Sequence, residues 1–154
     1  MSFESLRLPE FLTDTLARLR FVDATPIQRE AIPHILAGSD LVGIAQTGTG
    51  KTAAFALPII AQLNATTGPR RVEVLAVVPT RELALQVAAS FRKFAENSPR
   101  KLEVLALIGG ADIDKQIRSL GHGVDVVVAT PGRLIDLVGR SELNLEYLKI
   151  RNSG

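Results

Sequence analysis

The eight residues AQTGTGKT at 45–52 constrain the fold more than any other stretch of the chain. They follow an apolar run, Asp40–Ala45, and open a helical one, Lys51–Asn64. Ala/Gly-x-x-x-x-Gly-Lys-Ser/Thr between a strand and a helix is the pattern of a phosphate-binding loop. Gly48 and Gly50 let the chain turn tightly and aim successive N–H groups at one anion. Gln46, Thr47 and Thr49 fill the rest of that loop. Lys51 then reaches the β- and γ-phosphates of a nucleotide, and the Thr52 hydroxyl can ligand Mg²⁺. The partial positive charge of the helix beginning at Lys51 falls on the same spot. The plain alternative is a solvent-facing Gly/Thr turn. Even as a phosphate loop the stretch is shared by kinases, transporters, GTPases and motor proteins.

The rest of the pattern supplies the α/β setting that such a loop requires. Short β-branched runs alternate with helical ones, as in a mostly parallel sheet flanked by helices. Strands are expected at Asp40–Ala45, Glu73–Val78, Leu102–Ile108 and Val124–Ala129, each near-continuous in apolar residues, as strands buried on both faces are. Helices fit Pro9–Leu19, Ile27–Ala37, Lys51–Asn64, Arg81–Glu96, Asp114–Leu120 and Arg133–Gly139. Breakers separate them: Gly38, Gly68-Pro69, Ser98-Pro99 and Gly121/Gly123. Thr80 is placed to cap the helix that follows it, with Glu82 near the positive end. No repeat or interdomain linker interrupts the pattern, so 154 residues read as one α/β domain.

Composition narrows the function. A 46% hydrophobic content and positive mean hydropathy imply a filled core rather than disorder. The longest apolar run, Ala53–Ala61, contains Pro58 and falls short of the ~18 residues a membrane span needs. Charge is scattered through MSFESLRLPEF, which does not fit a secretory signal. Without cysteine there is no disulfide framework or thiolate metal site, which suits a reducing cytoplasm. A net charge of +2 is too mild to announce nucleic-acid binding, which must rest on locally placed arginines and amides.

Four further stretches make the resemblance specific: FVDATPIQ (21–28), PTRELA (79–84), GG (109–110) and TPGR (130–133). In that order and spacing the chain resembles the first RecA-like domain of a DEAD-box ATP-dependent RNA helicase of bacterial type, over residues 3 to about 150. The resemblance implies a RecA-like P-loop NTPase fold, ATP or ADP with Mg²⁺ as ligands, and RNA, single-stranded or partly duplex, as partner. It places the protein in the cytoplasm, away from membranes. By the same resemblance Gln28 reads adenine, Phe21 stacks on the base and Thr25 ties the segment to the phosphate loop. The chemistry fits: a carboxamide donates and accepts at once, matching the N6 and N7 edge of adenine but not guanine. The alternative is that Phe21 and Ile27 are core residues and Gln28 caps a helix. Arg20 and Ala24 stand where the family usually has Gly and Pro, and both changes are expected to loosen the turn. Phe3 matches the family's upstream aromatic and equally fits plain packing.

Pro79-Thr80-Arg81, Gly109-Gly110 and Thr130-Pro131-Gly132-Arg133 follow successive strands, where open α/β sheets bind ligands. The resemblance makes them one track for the RNA backbone, indifferent to base sequence. Read plainly they are strand-to-helix turns with threonine caps, and Arg81 and Arg133 could form surface ion pairs.

Family members continue from a segment like LEYLKI (145–150) into a strand ending Asp-Glu-Ala-Asp, then a Ser-Ala-Thr motif and a second RecA-like domain, whereas this chain reads RNSG. Residues 1–150 are therefore expected to be a partial first domain and 151–154 a tail outside the family pattern. Lys51 and Thr52 would position phosphates and metal without turnover in the isolated chain, and the surviving strands would lack a partner or expose apolar edges. Three functions follow: an N-terminal piece of an RNA helicase, a non-catalytic nucleotide- and RNA-binding module, or a different phosphate-loop enzyme. Gln28 with TPGR argues against the third.

Overall fold

The structure is a computed structural model; it describes residues 3–21, 23–26, 28–29, 32–33, 51–65, 68–146 and 150–153. The expected strand at 40–45, most of the helix at 27–37 and the loop residues 45–50 lie outside these. The chain divides into two compact units, one formed by 1–41, 45–67 and 90–101 and the other by 42–44, 68–89 and 102–154. No composition shift marks the division, because each unit draws on interleaved segments of chain.

In the first unit a 3-10 turn (Phe3–Leu6) leads into α1 (Glu10–Arg18). Phe3, Leu6, Leu8, Leu12 and Leu16 are buried, so Phe3 does at least packing work. The end of α1 is a turn that glycine at position 20 would suit. Arg20 has φ +64, and the Phe21 amide closes the turn onto Leu16 O at 2.8 Å. This is a left-handed C-terminal cap, which costs a side-chain-bearing residue about 1 kcal/mol. The turn is closed rather than loosened, with Arg20 carrying the strain that glycine would avoid. The long α2 (Lys51–Asn64) is apolar around much of its girth: Ala54, Ala56, Leu57, Ile59, Ile60 and Leu63 are all buried, with Pro58 inside. Asn64 at its end donates to Ser98 Oγ and accepts from the Arg100 amide at 2.9 Å, pinning the Ser98-Pro99 loop.

The second unit holds a parallel sheet of β1 (Val74–Val77), β2 (Val104–Leu107), β3 (Val126–Ala129) and β4 (Ile150–Ser153), in the order β2-β3-β1-β4. Val126 stands opposite both Val74 and Val104, and Val74 opposite Ile150. Every residue of β3 is buried, whereas the edge strand β2 leaves its middle pair partly exposed, as sheet order dictates. Between strands run α3 (Arg81–Phe94), whose residues from 90 on belong to the first unit, α4 (Ile113–Gly121) and α5 (Pro131–Gly139). Leu75, Leu107, Val127, Leu137 and Leu143 form the core, with Ile113, Ile117, Leu120 and Leu134 packed against it. The expected α/β fold, a mostly parallel sheet flanked by helices, is what forms. One expectation needs correcting: β1 does not expose an edge, because β4 pairs with it along its length. Arg-Asn-Ser is poor strand sequence, but ladder bonds are made by backbone, and any extended segment can supply them.

The two ends of this sheet differ in chemistry. Before the strands, Asp125 is buried; its carboxylate accepts from the Glu103 amide at 2.9 Å and faces Arg70 Nε at 3.1 Å. Glu73, also buried, meets Arg71 Nε at 3.5 Å. The stem of Arg70 lies 3.5–3.6 Å from where a Cβ on Gly123 would stand, and Gly123 has φ +99. After the strands come the loops named in the sequence.

Candidate functional site

Within the first unit, residues 25–29 are built around a reciprocal cap. Pro26, Gln28 and Arg29 are helical, and Arg29 N donates to Thr25 O at 3.0 Å, which makes Thr25 the N-cap. Gln28 Oε1 accepts from Thr25 N at 2.9 Å, and Gln28 N donates to Thr25 Oγ1 at 3.4 Å. This is the capping box of T-x-x-Q, with proline at the first helical position. Gln28 is 1% exposed and Ala24 is buried beside it in sequence. The alternative raised by the sequence, that Gln28 caps a helix, is thus realised. Phe21 is half-buried and meets Phe94 edge to face, ring centres 5.8 Å apart at 69°. Lys51 and Thr52 form the first turn of α2, where helix N–H groups have no intrahelical acceptor. Gln46, Thr47, Gly48, Thr49 and Gly50 lie outside the described residues.

Within the second unit, three of the expected loops stand at the C-terminal ends of β1, β2 and β3. Thr80 Oγ1 accepts from Leu83 N at 3.2 Å, so it caps α3 as its sequence position suggests. Gly109 and Gly110 make the exposed turn after β2, and Gly110 has φ +80. Arg81 NH1 lies 2.8 Å from where a Cβ on Gly110 would stand. Since β3 separates β1 from β2, this contact joins the segments after two strands that are not neighbours in the sheet. The second glycine suits the turn by its dihedral, and it leaves the room that Arg81 NH1 occupies.

Thr130 begins α5 with its amide on Leu107 O at 3.0 Å, which ties it to the end of β2. Its side chain makes no cap bond to the helix, and Pro131 at the first position has no N–H. The N–H groups of Gly132 and Arg133 are left without an acceptor among the described residues. Arg133 NH1 donates to Ala111 O at 3.3 Å and to Gln116 Oε1 at 3.1 Å. Neither Arg81 nor Arg133 meets a carboxylate among the described residues, so the ion pairs considered for them do not form there.

Gln116 is a member of this cluster that the motifs do not mark. It is 6% exposed, and its Nε2 donates to Ile108 O at 3.1 Å. The signal was available in the spacing: Ile113, Gln116, Ile117 and Leu120 occupy i, i+3, i+4 and i+7, putting the glutamine inside the buried stripe of α4. At the start of α4, Asp112 caps the helix, accepting from Asp114 N and Lys115 N at 2.9 and 3.4 Å.

A family model described as DEAD/DEAH box helicase matches residues 25–151. ATP-dependent RNA helicase DeaD of Haemophilus influenzae is 44% identical over 152 residues, covering 97% of this chain and 24% of that protein. RNA helicase CrhR of Synechocystis is 45% identical over 148 residues, covering 96% and 29%. DEAD-box ATP-dependent RNA helicase CshA of Bacillus cereus is 41% identical over 148 residues, covering 96% and 27%. The chain thus spans about a quarter of the length of the curated relatives it matches.

Proposed function

The chain belongs to the DEAD/DEAH box helicase family, and from that premise we propose that it is the nucleotide- and RNA-binding part of an ATP-dependent RNA helicase. It holds ATP or ADP with Mg²⁺ through Gln46–Thr52, reads adenine with Gln28 beside Phe21 and Thr25, and grips RNA backbone through residues 79–81, 109–110 and 130–133. A second RecA-like domain in the full-length protein completes the machinery, and the work is done in the cytoplasm.

The observation that carries this reading is the row of loops after β2, β3 and β1. It joins amides without acceptors at Gly132 and Arg133 to two arginines, Arg81 and Arg133, that no carboxylate neutralises among the described residues. Such a surface suits phosphates, and contact with phosphate and sugar carries no base information. For nucleotide, α2 opens with Lys51 and Thr52 in the turn where an anion meets helix N–H groups, and a threonine hydroxyl there suits a magnesium ion that also touches phosphate. The 154 residues contain no Asp-Glu-Ala-Asp stretch, so the isolated polypeptide is expected to bind without turnover.

Two titrations test the reading. ADP is expected to bind more tightly than GDP, and Gln28→Ala to narrow that ratio by about 1–3 kcal/mol, the worth of a two-point base contact. The ratio is the readout because loss of the cap alone lowers stability by about 1 kcal/mol without favouring either base. Single-stranded RNAs of unlike sequence are expected to bind with similar, salt-dependent affinity and to crosslink at residues 79–81, 109–110 and 130–133. Equal affinity for ADP and GDP, or crosslinks that avoid those loops, would overturn it.

A further inference from the structure

Gln116 lies outside the three loops, yet its carboxamide touches two of them. Its nitrogen donates to Ile108 O, the carbonyl that leads into Gly109-Gly110, and its oxygen accepts from Arg133 NH1. The same NH1 reaches Ala111 O, on the far side of the glycines. Of the two backbone carbonyls that flank the glycine turn, Ala111 O is bonded by the guanidinium directly and Ile108 O is joined to it through the buried amide. An arginine side chain is rotamer-rich, and fixing it costs on the order of 2 kcal/mol of conformational entropy. Where that ordering is already done in the free protein, less is lost when the guanidinium meets a phosphate. A neutral amide suits this task. A carboxylate in its place would hold Arg133 and also cancel the charge that phosphate needs, whereas Gln116 holds it by a hydrogen bond and leaves the full charge in place.

We propose that Gln116 is a positioning residue for the nucleic-acid track: it fixes the Arg133 guanidinium and the Gly109-Gly110 turn in one arrangement that meets successive RNA phosphates. The inference rests on the RNA reading above and adds a residue to it. Gln116 itself does not touch RNA. Its effect passes through Arg133, and the two residues act as a unit.

The test compares wild type with Gln116→Met, which keeps the length and buried volume of the side chain and removes both hydrogen bonds. Gln116→Asn is the second variant: it keeps an amide, so burial stays polar, but is one methylene too short to bridge Ile108 O and Arg133. Binding of a fluorescent single-stranded RNA is followed by anisotropy from low to moderate salt, alongside ADP affinity and the unfolding midpoint. Both variants are expected to bind RNA about tenfold more weakly, as loss of one charge-assisted hydrogen bond implies. The slope of log K against log salt should fall by about one unit, as loss of one phosphate contact implies. ADP affinity should stay at the wild-type value. Arg133→Met should produce the same loss, and Gln116→Met added to it should weaken binding no further.

A Gln116 variant that folds less stably but keeps wild-type RNA affinity and salt slope would reduce Gln116 to a core residue and overturn the proposal. So would losses that add in full to those of Arg133→Met. If instead wild type binds no RNA, or Arg133→Met leaves binding and slope unchanged, it is the RNA reading that fails, and this inference falls with it. Should Gln116→Met not fold, Gln116→Asn separates the same outcomes.

Discussion

The parallel sheet has arginines at both ends, and they are used in opposite ways. At the ends where the strands begin, Arg70 and Arg71 are matched with Asp125 and Glu73, both buried. At the ends where the strands finish, Arg81 and Arg133 lie against a glycine turn, a backbone carbonyl and a carboxamide. The first pair is neutralised within the chain; the second keeps its charge. Residue type alone does not distinguish them. What does is the partner: a carboxylate turns an arginine into architecture, and a neutral acceptor leaves it oriented for an anion from outside.

The sharpest way to break this comparison is at Asp125. Asp125→Ala leaves the Glu103 amide without its side-chain acceptor and Arg70 without its buried counter-charge. A loss of about 3 kcal/mol is expected by urea denaturation, at the lower end for a broken buried pair because Arg70 is partly solvated. RNA affinity of the folded protein should not change. If it fell in step with stability, the two ends would not be separate in function.

Gly110→Ala probes the opposite end. The new methyl would meet Arg81 NH1, and since that atom ends a flexible side chain, the arginine rather than the backbone should give way. The stability cost is then set by φ +80 alone, at about 1 kcal/mol. RNA affinity should also drop, because Arg81 is displaced. Full affinity in a folded Gly110→Ala protein would mean that the place of Arg81 over the turn is incidental.

Arg81→Ala should reverse the pattern seen at Asp125, with stability held to within about 0.5 kcal/mol and RNA affinity reduced, the salt slope falling by about one unit. Salt-titrated binding beside thermal unfolding would show it. Destabilisation as large as that of Asp125→Ala would place Arg81 with the architectural arginines.

Arg140 supplies the baseline. It pairs with Asp136 at 2.9 Å one helical turn apart, and both side chains are exposed. Arg140→Ala should cost no more than about 0.5 kcal/mol and leave RNA binding alone. A larger cost would mean that exposed pairs in this protein are worth more than usual, and the contrast at Asp125 would have to be rescaled.

Much of this was determined by local sequence. Apolar continuity at 74–77, 104–107 and 126–129 dictated buried parallel strands, and the helix starts at Lys51 and Arg81 fall where caps and patterns put them. Order and spacing of the motifs identified the family without coordinates, because phosphate chemistry requires particular residues in a short stretch of chain. What lay beyond sequence were the side-chain partners. Arg70, Arg81 and Arg133 look alike in a string of letters, and whether each meets Asp125, Gly110 or Gln116 depends on strand order, since β3 sits between β1 and β2. Spacing puts Gln116 in the apolar stripe of its helix, but its partners, Ile108 O and Arg133, are set only by the packing of that helix on the sheet. The left-handed Arg20 and the pairing of Ile150–Ser153 with β1 are likewise decisions of context. The Phe21 N–H bond that closes the helix end at Arg20, and the ladder bonds to β1 at Ile150–Ser153, outweigh a local preference of about a kilocalorie per mole.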